Sequence, residues 1–202
     1  MGGCIIGLTG PTGAGKSEAA RALAEAGCVV VDADRVSRLA VAEPDCLAAL
    51  AEAFGADILL PDGTLNRREL ARRAFATHEK ERLLNAITHP RILKYMNTEI
   101  QTALDNGAQA VIVDAPLLFE SGMDAACQVT AAVLAPAEVR LQRICARDHL
   151  SEADAKLRMK IQPPDDFYVG RASKIFYNDR TPEALRVQVT RWLGDILQKG
   201  AE

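Results

Sequence analysis

Gly10, Gly15, Lys16 and Ser17 stand at the fixed places of a G-x-x-x-x-G-K-[ST] spacing, within the stretch GPTGAGKS. Consecutive backbone N–H groups in such a loop can converge and form a nest for an anion. Glycines supply the positive φ and the close backbone approach that a nest requires. A helix starting behind the loop adds the positive end of its dipole. Lys16 then suits the β- and γ-phosphates of a nucleotide, and the Ser17 hydroxyl suits Mg²⁺. The bland alternative is an ordinary glycine-rich turn. The flanks argue against it: the apolar run CIIGL precedes the loop, and EAARALAEAG, suited to a helix, follows it. A phosphate-binding loop at a strand-to-helix turn is the expectation.

Other residues could complete such a site. Asp32 and Asp34 follow a second apolar run, CVVVD, and ligands of parallel sheets gather at the carboxyl ends of strands. A carboxylate there can accept a proton from a substrate hydroxyl or help hold Mg²⁺ through water; capping a helix is the competing job. Asp114 ends a third run, AVIVD, as a Mg²⁺-directed carboxylate or as a turn residue. Arg140, Arg143 and Arg147 share one helix face. Guanidinium groups suit phosphate oxygens, although such a stripe is more commonly a solvated basic face. Arg158, Lys160 and Gln162 continue the pattern, and Pro163-Pro164-Asp165-Asp166 interrupts it. Two basic helices with a break have the form of a lid that excludes water from phosphoryl transfer.

The elements that must position these residues alternate. Strands are expected at Cys4–Leu8, Cys28–Asp32, Ala110–Asp114, Val129–Ala135 and Ser173–Tyr177, with helices between them. That order implies a parallel sheet covered on both faces. Gly27 stops the first helix, Asn106-Gly107 stops a later one, and Ser151 with Asp154 opens another. A helix near Glu79–Thr88 should end before Pro90, which places His89-Pro90 at a helix–helix junction. About 77 residues separate Asp32 from Ala110. A simple crossover needs about a dozen, so this span has room for a helical insertion that binds the acceptor.

Composition sets the outer limits. The 202 residues suit one domain with an insertion, 49% are hydrophobic, and the net charge of −3 gives no reason to expect nucleic-acid binding. Five cysteines without a C-x-x-C spacing argue against a disulfide framework or zinc site and for a reducing cytoplasm. Neither a signal peptide nor a membrane span is expected.

VDADRVSR (31–38), DGTLNRRELARRAF (62–75), LLNAITHP (83–90) and DAPLLFESG (114–122), in that order behind the P-loop, resemble dephospho-CoA kinase over nearly the whole chain. The lid pattern matches in Arg143, Arg147, Arg158 and Gln162. The resemblance implies an α/β P-loop NTPase fold of the adenylate-kinase kind. Its parallel-sheet core would span about 1–40, 108–140 and 170–202, with a helical substrate-binding insertion at about 41–107 and a lid at about 141–169. It implies transfer of the γ-phosphate of ATP, with Mg²⁺, to the 3′-hydroxyl of dephospho-CoA. Asp34 would be the general base, and Asp32 and Asp114 would support the site. Gly13, Ala14, Gly15, Lys16, Ser17 and Glu18 would hold the phosphates, Arg143 and Arg147 would close over them, and Ser17 and Asp114 would direct Mg²⁺. His89, Leu117, Leu118 and Glu120 would face the acceptor.

Three positions depart from the family's pattern. Glu18 stands where Thr is frequent, Ser173 where Asp is common, and Arg180 near a usual glycine. Rival readings are another small-acceptor kinase of the same architecture or a nucleotide switch without catalysis. The switch lacks the N-K-x-D guanine motif, and the four stretches favour dephospho-CoA over other acceptors.

Overall fold

The five apolar runs form one parallel sheet in the computed structural model, which describes residues 3–199. The strands are β1 (Cys4–Thr9), β2 (Val29–Asp32), β3 (Ala110–Asp114), β4 (Val129–Leu134) and β5 (Lys174–Tyr177), in the spatial order β2-β3-β1-β4-β5. Each lies within a residue or so of its expected span. The register sets Leu8 beside Asp114 and Asp114 beside Asp32, so the carboxyl ends of β1, β3 and β2 fall in one row.

The helices are α1 (Lys16–Glu25), α2 (Ala33–Val41), α3 (Pro44–Phe54), α4 (Arg67–Ala74), α5 (His78–Asp105), α6 (Ala137–Asp148), α7 (Glu152–Lys160), α8 (Asp165–Val169) and α9 (Pro182–Lys199). Ile6, Leu8, Ile112, Val133 and Phe176 of the sheet pack with Leu23 of α1 and Leu185, Val189 and Leu193 of α9. Behind them, Ala132 and Leu134 pack with Tyr168, supported by Phe119 and Phe167. Both sheet faces are thus covered, and near-continuous apolar strands need this because each exposes side chains to both faces.

The chain divides into two compact units: one holds the chain through Asp32 and again from Ile100 onward, and the other is Ala33–Glu99. The second has its own core, in which Cys46, Leu50, Ile58 and Ala74 are fully buried. Arg73 of α4 binds this unit together. It donates to Glu69, to Asp57 and to the Phe54 carbonyl, and Arg72 and Arg73 hold the Glu69 carboxyl down to about 2.

The expected stop signals act through identifiable hydrogen bonds. Gly27, at φ 94°, donates to the Ala24 carbonyl while Cys28 N–H reaches the Leu23 carbonyl, both at 3.0 Å. Gly107 and Ala108 repeat the pattern behind α5, on Leu104 and Ala103. This double bond to the last turn requires a residue at positive φ, which glycine adopts at least cost. The Ser151 hydroxyl caps α7 by accepting from Asp154 N–H at 3.2 Å.

One expectation fails locally. The break expected at Pro90 is absent: α5 runs 28 residues with Pro90 inside it. Proline removes one i→i−4 bond, here to the Ala86 carbonyl, and crowds that group; two other carbonyls of these turns accept from side chains. The Thr88 hydroxyl donates to Leu84 at 2.9 Å and Arg91 to Ile87 at 2.6 Å. With several helical turns on each side, the interruption costs less than ending the helix. His89 therefore lies within a helix, not at a junction. The residues after β2 open a helix, in line with the helix-start alternative for these aspartates. Asp34 lies in the first turn of α2, whose Ala33, Val36, Ala40 and Val41 are buried at helical spacing. A carboxylate there complements the helix dipole.

Candidate active site

The loop from Gly10 to Gly15 joins the end of β1 to the start of α1. Gly10, Gly13 and Gly15 take φ of 146°, 77° and 106°. Each is also pressed against a different element. A Cβ at Gly10 would lie 2.4 Å from the Val133 carbonyl, at Gly13 2.8 Å from the Arg140 carbonyl, and at Gly15 2.1 Å from Asn178 Nδ2. The glycines serve conformation and close approach together. The Ala14 amide donates to Pro11 and the Glu18 amide to Gly15, so these two residues, expected to hold phosphates, have their amides paired within the loop, and the Glu18 carboxylate is paired with arginines. Among the described residues, no acceptor is recorded for the amides of Gly13, Gly15, Lys16 and Ser17. Gly15 gives α1 no side-chain cap, so the positive end of the helix is left to a ligand.

Lys16 Nζ donates to the carboxylate of Asp114, with both side chains largely buried. The hydroxyl-bearing Ser17 is exposed one residue further on. The loop after β3 is tied to β1: Ala115 N–H donates to Leu8 at 3.0 Å, and the Thr9 hydroxyl to the Pro116 carbonyl at 3.1 Å. Within that loop the expected acceptor-facing residues separate. Leu117 is 61% exposed and Glu120 is exposed, but Leu118 is fully buried against Gly7 of β1. Leu118 is a packing residue, because the loop alternates its side chains between core and surface. Glu120 still has an electrostatic neighbour: burial and its charge push the Tyr168 hydroxyl up to about 12.

The arginine stripe on α6 has three different fates. Arg140 is buried and braces the loop: its Nε donates to the Thr12 carbonyl at 3.1 Å, and it reaches Asp165 at 3.3 Å. Burial pulls its guanidinium below its usual value, and Asp165 partly offsets this. Arg143 spans the carbonyls of Gly13 and Ala14, each at 3.3 Å. Arg147, over half exposed, forks onto Asp148 at 2.7 and 2.8 Å and touches the Thr12 hydroxyl at 3.5 Å. Arg158 of α7 also donates to Asp148, at 2.7 Å, and the hydrogen bond from Arg147 leads in holding that carboxyl below the ordinary range. The solvated-face reading fails for Arg140 and Arg143.

One contributor escaped sequence reasoning, and one member of the expected lid pattern takes a specific place on the loop. Asn178, 4% exposed, follows β5, donates to the Ala14 carbonyl at 2.8 Å and faces Arg143 at 3.5 Å. Gln162 accepts from Thr12 N–H at 2.9 Å and so fastens the segment after α7 to the loop. Both sit more than 140 residues from the loop; Gln162 belongs to the expected lid pattern, whereas the only signal for Asn178 is that a polar residue follows a predicted strand. Replacing Asn178 with Ala leaves buried amide partners short of a hydrogen bond. The expected loss is about 1–3 kcal/mol of stability together with weaker ATP binding, checked by denaturant melts and calorimetry.

A family model for dephospho-CoA kinase matches residues 4–183. The chain belongs to the dephospho-CoA kinase family. The dephospho-CoA kinase of Corynebacterium glutamicum is 42% identical over 196 residues, covering 96% of this chain and 98% of that one. The dephospho-CoA kinase of Moorella thermoacetica is 41% identical over 187 residues, covering 92% and 88%. Among solved structures, TT1252 from Thermus thermophilus superposes with a TM-score of 0.82 at 31% identity, covering 96% of this chain and 98% of that one. Dephospho-CoA kinase from Campylobacter jejuni, at 21% identity and a TM-score of 0.63 over 95% and 96% of the chains, shares the fold. The chain is a kinase, and its reaction is the ATP-dependent phosphorylation of dephospho-CoA, the last step of coenzyme A biosynthesis. One departure from the dephospho-CoA kinase pattern is absorbed locally. Ser173, in place of the common Asp, exchanges hydrogen bonds with the side chain and backbone of Thr130, at 3.1–3.4 Å, and ties β5 to β4.

Proposed function

We propose that the chain phosphorylates the ribose 3′-hydroxyl of dephospho-CoA with Lys16 and the loop amides on the phosphates, Arg147 on the transferring group and Asp34 as general base. The supporting observation is the Lys16–Asp114 pair, set between the carboxyl ends of β1 and β3 at the open N-terminus of α1. The 3′-oxygen attacks the γ-phosphorus, the bond from that phosphorus to the β–γ bridging oxygen breaks, and ADP leaves. The hydroxyl proton passes to the Asp34 carboxylate. Arg143 is committed to the loop carbonyls and shapes the nest; Arg147 is held only by neighbouring surface groups and is free to turn toward phosphate. His89, Leu117 and Glu120 remain the proposed acceptor contacts.

The donor set fits Mg²⁺. No cluster of three or more acidic, His or Cys side chains occurs among the described residues. Mg²⁺ in nucleotide sites takes one or two protein oxygens and leaves the rest to phosphates and water. The exposed Ser17 hydroxyl and the Asp114 carboxylate supply that number. When bound, the ion neutralises charge on the β- and γ-phosphates. Residence in the cytoplasm belongs to the same reading: all five cysteines are free, and no helix among the described residues is long and apolar enough to cross a membrane.

A panel of acceptors at equal concentration tests the assignment by ADP release. Dephospho-CoA should support turnover, and AMP, shikimate and uridine should not; turnover with one of these and none with dephospho-CoA would refute it. Arg147→Lys keeps the charge and loses the planar fork. The expected result is a larger fall in kcat than in ATP affinity, because the contact strengthens as charge develops on the transferring group. A weaker KM for ATP with kcat unchanged would make Arg147 a ground-state binding residue.

A further inference from the structure

Glu18 puts a negative charge in the first turn of α1, at the end of the helix that the nucleotide-binding reading assigns to phosphates. It is the third residue of α1, directly after Ser17, and its side chain is only 18% exposed. A carboxylate in a first turn favours an isolated helix, but at a phosphate-binding end it repels the ligand. The structure compensates both of its oxygens. Oε1 faces Arg186 Nη1 of α9 at 3.1 Å, and Oε2 faces Arg21 one turn along α1. The other terminal nitrogen of Arg186 holds Glu25 at the far end of α1, so this guanidinium spans two turns of the helix. Arg21 is 62% exposed and Arg186 34%, which makes Arg186 the less screened of the two counter-charges.

We propose that Arg186 is a positioning residue for ATP: by neutralising Glu18 it keeps the phosphate-binding end of α1 attractive to anions. The proposal rests on the nucleotide-binding reading of the loop. It differs from a purely structural account in sign. If the α1–α9 ion pairs only brace the helix, removing either partner weakens ATP binding. If Arg186 acts by cancelling charge, removing Arg186 weakens binding, removing the Glu18 charge does not, and removing both restores it.

The experiment measures ATP dissociation constants by calorimetry, at low and high salt, for the wild type, Arg186→Met, Glu18→Gln and the double variant. Arg186→Met should bind ATP about 3–10-fold more weakly at low salt, with the gap closing near about 0.5 M salt. Glu18→Gln should bind at least as tightly as the wild type, and the double variant should lie close to the wild type. Should Arg186→Met fail to fold, Glu18→Gln alone decides. Weaker ATP binding by Glu18→Gln, or wild-type binding by a folded Arg186→Met, overturns the proposal. Absence of ATP binding by the wild type would instead overturn the loop assignment itself.

Discussion

Lys16→Ala should lower kcat for phosphoryl transfer by at least about 10²–10³-fold, the usual loss when one preorganised electrostatic contact is removed from developing charge, and leave the chain folded. Lys16 begins α1 and bonds to Asp114 at the edge of the sheet, outside the apolar core. Its loss removes one ion pair and no packing. Asp114 has a further interaction besides Lys16 and is not stranded by the change. Single-turnover transfer to dephospho-CoA, with circular dichroism and a thermal melt on the same preparation, separates chemistry from folding. Near-normal turnover in a folded variant would remove the loop lysine from the mechanism.

Asp34→Asn should cost as much or more. A ribose hydroxyl is a poor nucleophile at neutral pH, and a positioned general base contributes about 10²–10⁴ in rate. Asparagine keeps the size and one acceptor oxygen but loses basicity. In the first turn of α2 it also remains a favourable helix-start residue, so the fold should survive. The expected result is a loss of kcat in that range with ATP affinity, measured separately by calorimetry, nearly unchanged. A wild-type rate would exclude Asp34. A large loss in Asp32→Asn instead would move the role to Asp32, which ends β2 in register with Asp114.

The local features of this chain were legible because their causes are local. A five-residue apolar run between turn residues has few alternatives to a buried strand, and all five strands were found. Gly27 and Gly107 end helices through bonds that close within five residues. The failures have non-local causes. Pro90 reads as a stop, yet α5 continues through it, losing one backbone bond among the many of its 28 residues. Arg140 reads as one member of a surface stripe, yet it is buried under the loop because Thr12 and Asp165 meet it there. Leu117 and Leu118 are chemically alike in the sequence; only the sheet decides that one faces Gly7 and the other faces out. Asn178 carries no local signal for its task, since its partner Ala14 lies 164 residues away.

That distance has a consequence for synthesis. The phosphate-binding loop leaves the ribosome well before the carbonyls and side chains that hold its shape: Val133, Arg140, Gln162 and finally Asn178. Loops made of glycine are the segments least able to hold such a shape unaided. A nascent chain therefore carries the complete motif without a formed nest until Asn178 has emerged. The nest closes only when β5 joins the edge of the sheet, so ATP arrives too late to template the strands made before it.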